Sequence, residues 1–244
     1  MLSCMKAVVR QNFDASVDAY ATYERRTNRF TSLARLLAAE MNARTDSGLG
    51  TVLDAGAGTG VSTRVFAETA ADTIALDISR EMLREIESTA RMQADFDHLP
   101  LSDRSVDGVA FTASLFLVPE PATAVREAAR VLRADGVVGA VAPLGWFRPD
   151  GTEVFEQFER ESRSPTGTSA VEDAIAGEFS TTTGTWNFST TAENIRLFHA
   201  IPAMAARLYP KLDTETRVRQ ARELLSALDG TFEQRWRWVI GVPE

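Results

Sequence analysis

The run VLDAGAGTG at residues 52–60 holds the first residues whose types and spacing suit chemistry. Val52, Leu53 and Asp54 end a short apolar stretch of the kind that forms a buried strand, and Gly56, Gly58 and Gly60 follow at once. Glycine tolerates positive φ and lets a ligand approach the main chain. The helix expected to begin near Thr59 offers amide donors that its own turns leave unused. A flat or carboxylate-bearing ligand could lie across such a turn. Asp77 ends the next apolar run, about twenty residues after the glycines, where a carboxylate can accept both hydroxyls of a ribose. Its charge would also favour the start of the following helix, the alternative to the ribose role.

These residues need strands to hold them. Apolar runs at 51–55, 73–78, 106–111 and 137–142, with a weaker one at 91–94, alternate with helical segments, which is the pattern of βαβ units and a parallel sheet covered on both faces. Ser79 is placed to cap a helix over 81–90, and Asp135-Gly136 to close one over 120–133. Before the sheet, Phe30, Leu33, Leu36, Leu37 and Met41 recur at helical spacing, and residues 45–50 form a loop. After Trp146 the pattern loosens. Helices are expected at 153–163, 191–199, 203–209 and 214–228, a Ser/Thr/Gly-rich loop at 164–169, and a strand at 232–242 returning to the sheet. The expected organisation is a cofactor-binding core with N-terminal cap helices over 1–145, a mainly helical substrate or lid insertion over 146–230, and a terminal strand over 231–244. The fold class is α/β: a Rossmann-like, doubly wound, mostly parallel sheet with an antiparallel terminal strand.

Four stretches in this order, VLDAGAGTG at 52–60, ALDISREML at 75–83, ADFDHLPLSDRSVDGV at 94–109 and AVREAARVLRADGVVGAV at 124–141, resemble the class I methyltransferase family and its small-molecule branch, the type 11-like methyltransferases. The third stretch is not usual in NAD enzymes of the Rossmann type. The glycines here are spaced GxGxG, with valine at 61 where GxGxxG has glycine, which also shifts weight from an NAD-dependent oxidoreductase. The resemblance implies S-adenosylmethionine as cofactor, S-adenosylhomocysteine as product and a small organic molecule as methyl acceptor. It places Gly56, Ala57 and Gly58 against the methionine part, with Gly60 closing the turn and Asp54 near the ammonium group. It further implies Asp77 on the ribose, Ile78 and Met82 on the adenine face, Asp95 on the adenine amino group, the amide of Phe96 on the ring, and Thr112 beside the sulfonium. Tyr20 would contact the methionine carboxylate, with Arg25 or Arg29 as the alternative; Tyr20 and Tyr23 could equally pack the N-terminal helix. A cofactor-binding relative that regulates or scaffolds without methylating is the reading from another class.

The composition narrows the rest. At 244 residues with 44% hydrophobic and 25% charged residues, the chain suits one globular α/β domain with an insertion. A formal charge of −8 argues against a nucleic-acid binder driven by electrostatics, although Arg25, Arg26 and Arg29 form a local basic cluster. The single cysteine, Cys4, excludes an internal disulfide and a cysteine-based zinc site, and no metal is expected. The expected protein is cytoplasmic, without membrane span or signal peptide, and a monomer or homodimer. No catalytic residue stands out. His199 is of the residue type that most often serves as a general base, yet Ile195, Leu197 and Phe198 beside it suit a structural histidine on an apolar helix. Trp146, Phe147, Phe155, Phe158, Trp186, Phe188 and Phe198 gather after the core and could line an apolar substrate cavity or pack the insertion's own interior.

Overall fold

The computed structural model describes residues 2–87, 90–157 and 167–243. Among these residues, strands β1 (Leu49–Ala55), β2 (Ala70–Asp77), β3 (Ala90–Gln93), β4 (Val106–Thr112), β5 (Leu132–Phe147), β6 (Ser180–Thr191) and β7 (Thr231–Val242) form one sheet in the order β3-β2-β1-β4-β5-β7-β6. The helices are α1 (Leu2–Asp14), α2 (Val17–Thr27), α3 (Arg29–Asn42), α4 (Val61–Thr69), α5 (Arg80–Arg84), α6 (Pro121–Val131), α7 (Thr168–Ala176), α8 (Ala192–His199), α9 (Pro202–Leu208) and α10 (Thr214–Leu224). β1 pairs in parallel with both β2 and β4, β2 with β3, and β4 with β5. This is the mostly parallel, Rossmann-like sheet with an antiparallel pair that the alternating apolar runs require. No described helix is long and apolar enough to cross a membrane.

The chain divides into two compact units. The sheet unit comprises Arg29–Pro143, Pro165–Trp186 and Trp236–Glu244. In it α3 lies on α4 and β4, and the fully buried Leu33, Leu37 and Met41 account for its apolar stripe. Glycines in the strands admit that helix: a Cβ on Gly139 would sit 2.7 Å from the Met41 sulfur and 2.9 Å from a Leu37 methyl carbon. The helical unit comprises Met1–Asn28, Leu144–Ser164 and Asn187–Arg235. Its helices pack as α1 on α9, α2 on α8, and α8, α9 and α10 on one another. Its interior is a ring cluster in which Phe198 lies 5.2 Å from Tyr23 and 5.5 Å from Trp146, and His199 lies 4.6 Å from Phe155.

Several boundaries differ from those expected. The helix after Ser79 ends at Arg84 instead of residue 90, because Ile86 turns inward to pack with Ala57, Ala75 and Leu83 and Ala90 already opens β3. α6 ends at Val131, where Leu132 takes extended backbone. Asp135-Gly136 therefore lies inside β5, and the glycine serves the sheet: a Cβ at Gly136 would come within 2.9 Å of the Asp107 carbonyl oxygen. Residues 180–191, polar and without an apolar stripe, form β6, consistent with the strand preference of β-branched threonine on an exposed face. Of the helix expected at 153–163 the described part is a 3₁₀ turn at Val154–Gln157. The remainder, with Phe158 and the first part of the 164–169 loop, lies outside the described residues, and Thr168 already belongs to α7.

Candidate functional site

The strand order reverses at β1 and β4, and in open α/β sheets ligands bind in the crevice beyond the carboxyl ends of strands at such a switch. Asp54, next to the last residue of β1, is fully buried. Its Oδ2 accepts hydrogen bonds from the hydroxyls of Ser62 and Thr63, both at 2.7 Å, in the first turn of α4. Its Oδ1 is buried with no hydrogen-bond partner. Burial pushes the Asp54 carboxyl up from 3.8 to about 6, against the pull of the two hydroxyls and with a further push from the Asp77 carboxylate. A buried acceptor of this kind destabilises the fold unless a cation or donor meets it.

The glycine turn is held from below. The amides of Gly56 and Ala57 both donate to the Leu76 carbonyl, at 2.7 and 3.0 Å, and the Gly60 amide donates to Ala57. Gly56, Gly58 and Gly60 all have positive φ, at 85°, 53° and 82°. Their surroundings differ. A Cβ on Gly56 would meet the Ser114 side chain at 2.3 Å and one on Gly60 would meet Ile86 at 2.7 Å, whereas nothing lies within 4 Å of the Cβ position at Gly58. The first and third glycines admit neighbouring side chains, and the middle one faces open space. Gly60 caps α4, which begins at Val61, two residues later than expected.

Asp77 closes the other side. Its Oδ2 accepts from the Gly58 amide at 2.9 Å and its Oδ1 from the Ser79 amide at 2.8 Å. The Ser79 hydroxyl caps α5 by accepting from the Met82 amide. Asp77 thus joins the glycine turn to the entry of α5. Ile78 is half-buried, and Met82 is only 1% exposed, so its side chain packs inside the sheet unit. Beyond β3, Asp95 accepts from the Asp97 amide, and its carbonyl accepts from the His98 amide to close a turn. The half-buried Phe96 ring stands edge-on to Phe111, 5.6 Å away. At the end of β4 the Thr112 hydroxyl is buried and has no partner, and Ala113 takes a φ of 58°, rare for a residue with a side chain.

Five supporting side chains carry no signal in the motifs themselves. Ser62 and Thr63 hold Asp54. Ser114 donates to the Ala55 carbonyl at 2.6 Å and fills the space under Gly56. Glu127 and Arg130 on α6 fix the loop within the third motif: Glu127 accepts from the Leu99 amide, and Arg130 donates to the carbonyls of Leu99 and Leu101. Hydrogen bonding from Arg130 keeps the Glu127 carboxyl below its usual range despite partial burial. The E-x-x-R spacing on a helix and the serine-threonine pair just past the last glycine were the available signals.

The remaining candidates are spread over both units. Tyr20 belongs to the helical unit, stacked on Phe13 at 6.2 Å; Arg25 lies in the same unit, while Arg29 is buried in the sheet unit. His199 is half-buried among rings of the helical unit. Trp146, Phe155 and Phe198 pack in that same cluster, Phe147 lies under the Arg235 guanidinium at 4.0 Å, and Trp186 stacks on Trp238 in the sheet unit.

The family described as "Methyltransferase domain" matches residues 53–139. The uncharacterized methyltransferase Rv3342 of Mycobacterium tuberculosis is 38% identical over 109 residues, covering 41% of this chain and 44% of that protein. A malonyl-[acyl-carrier protein] O-methyltransferase of Pectobacterium atrosepticum is 33% identical over 120 residues, covering 44% of this chain and 47% of its own. The chain thus spans less than half the length of these relatives. Among solved structures, YcgJ of Bacillus subtilis superposes with a TM-score of 0.60 at 17% identity over 87% of this chain and 98% of that one, a likeness of fold. Residues 53–139, where the glycine turn, Asp54, Asp77 and Asp95 all lie, are thus similar to a methyltransferase domain.

Proposed function

We propose that this protein moves a methyl group from S-adenosylmethionine to an oxygen, nitrogen or carbon of a small organic molecule. The observation that carries the reading is that the glycine turn beyond β1 joins open backbone at Gly58 to a buried, partnerless carboxylate oxygen on Asp54. A cationic amino-acid ligand meets both needs. When bound, S-adenosylmethionine supplies a methyl group on a positively charged sulfur.

The residues of the sheet unit would divide the work. Asp54 would face the ammonium, directly or through water, and so recover part of what its burial costs. Gly56, Ala57 and Gly58 would lie along the methionine part with their carbonyl and Cα surfaces, since the three amides already donate to Leu76 and Asp77. Asp77, which ties the Gly58 and Ser79 amides together, would accept the ribose hydroxyls. Ile78 and Met82 would support the adenine, Asp95 would accept from its amino group, and the amide of Phe96 would donate to its ring. The Thr112 hydroxyl would stand near the sulfonium side.

No residue of the chain is assigned as a general base. Transfer from a sulfonium gains most from alignment and exclusion of water, and good orientation alone is worth about 7 kcal/mol or more of barrier. Incubation with methyl-labelled S-adenosylmethionine and a panel of phenols, amines, carboxylic acids and carbon acids tests the reading. Label is expected in at least one acceptor; a protein that binds the donor yet labels none of them would instead be a cofactor-binding regulator.

A further inference from the structure

For a chain with a formal charge of −8, the helical unit concentrates positive charge in one place. A groove of about 580 Å³ is bordered by Thr22, Arg25 and Arg26 on α2, Glu193 and Arg196 on α8, and Arg222 on α10. Four guanidiniums face one carboxylate. Two of the four are committed: Arg26 donates to Asn194 Oδ1 at 2.8 Å and pairs with Glu193 at 2.5 Å, while Arg196 donates to the carbonyls of Leu228 at 2.7 Å and Leu225 at 3.4 Å. The other two are not. Arg25 donates only to the neutral Thr22 hydroxyl, and Arg222 makes no hydrogen bond or ion pair with the described residues.

Helix ends explain part of this. Arg25 and Arg26, Arg196 and Arg222 occupy the last turns of their helices, where the carbonyl ends carry about half a negative charge each. Three such ends offset at most about half of the net positive charge that Glu193 leaves. The groove has the volume of a small-molecule site. An extended polyanion would meet the negative surface expected around it, so the fitting occupant is compact. Guanidinium forks match the planar oxygen pairs of phosphates and carboxylates.

We propose that the groove between α2, α8 and α10 binds a compact oxyanion, a phosphate or carboxylate group of a small molecule, gripped by Arg25 and Arg222 with Arg26 and Arg196 fixed beside them. Titration calorimetry on the full chain, with inorganic pyrophosphate and with citrate at about 50 mM and about 300 mM salt, tests it. Saturable binding that weakens severalfold at the higher salt is expected, and the Arg25→Ala/Arg222→Ala variant should lose at least about tenfold in affinity with an unchanged melting temperature. Pyrophosphate binding without citrate binding would assign the site to phosphate, and the reverse to carboxylate. No saturable binding of either anion, equal affinity in the variant, or binding confined to an RNA oligonucleotide or an acidic protein would overturn the proposal. The Arg25→Lys/Arg222→Lys variant, which keeps the charge without the fork, should retain an intermediate affinity.

Discussion

At the strand ends of the sheet unit, carboxylates and hydroxyls are buried around a glycine turn, whereas the helical unit fills its centre with rings and carries most of its charges outward. Asp54, Asp77, Thr112 and Ser114 are all buried, and Asp54 and Thr112 each keep a buried oxygen with no partner. In the helical unit Tyr23, Trp146, Phe155 and Phe198 form the interior. Among its buried polar groups Ser16 ties helices together through the Ala203 amide and Arg217 through Asn12, although Arg217 Nε and Gln234 Oε1 are buried without a partner. A ring cluster is stable by itself, because burial alone stabilises it. An unmet buried carboxylate lowers stability, and such local conflicts mark places where a ligand completes the structure.

The comparison can be broken first in the helical unit. Phe198→Ala should destabilise the protein by about 4 kcal/mol in equilibrium denaturation, the usual cost of deleting a packed phenyl ring; a loss under about 1 kcal/mol would remove the ring cluster from its role as core. The sheet unit offers a sharper contrast between neighbours. Gly56→Ala should cost about 3 kcal/mol, because the new methyl overlaps Ser114 at 2.3 Å on backbone of positive φ. Gly58→Ala, with the same handedness and no neighbour within 4 Å, should cost only about 1 kcal/mol while impairing cofactor binding. Equal losses in thermal melts would mean that Gly58 has no open face.

Asp54 supplies the next test. Its folded carboxyl titrates at about 6 against 3.8 unfolded, so the native state holds its proton more tightly. The contribution is fully present below pH 3.8 and is lost as pH rises through about 6, at a cost of up to about 3 kcal/mol. Asp54→Asn cannot ionise and its amide oxygen can still accept from Ser62 and Thr63. Its stability relative to the wild type should therefore climb across that window and level off above it. A difference that stays flat between pH 4 and 7 would show that the wild-type carboxyl is not held up by burial.

The parts of this arrangement legible in the sequence are those written locally. The apolar runs, the glycines and Asp77 each carry their signal within a few residues, and the strands and the turn lie where those signals put them. What escaped depends on contacts between distant positions. Ser62 and Thr63 reach back to Asp54 from the far side of the glycine turn. Arg130 reaches a carbonyl 31 residues away. Gly136 resembled a helix stop because its reason for being glycine, the Asp107 carbonyl of the next strand, exists only in the folded sheet. β6 lacked an apolar stripe because most of its residues are exposed or half-buried.

Calorimetric titration of the wild type and Asp77→Asn with S-adenosylhomocysteine decides whether the glycine turn and its carboxylates hold the cofactor. Saturable binding to the wild type, weakened at least about tenfold in the variant, is the predicted result, because the substitution removes a charged acceptor expected to hold the ribose hydroxyls. No binding to the wild type, or equal binding to both proteins, would contradict the assignment of this turn and its carboxylates to the cofactor.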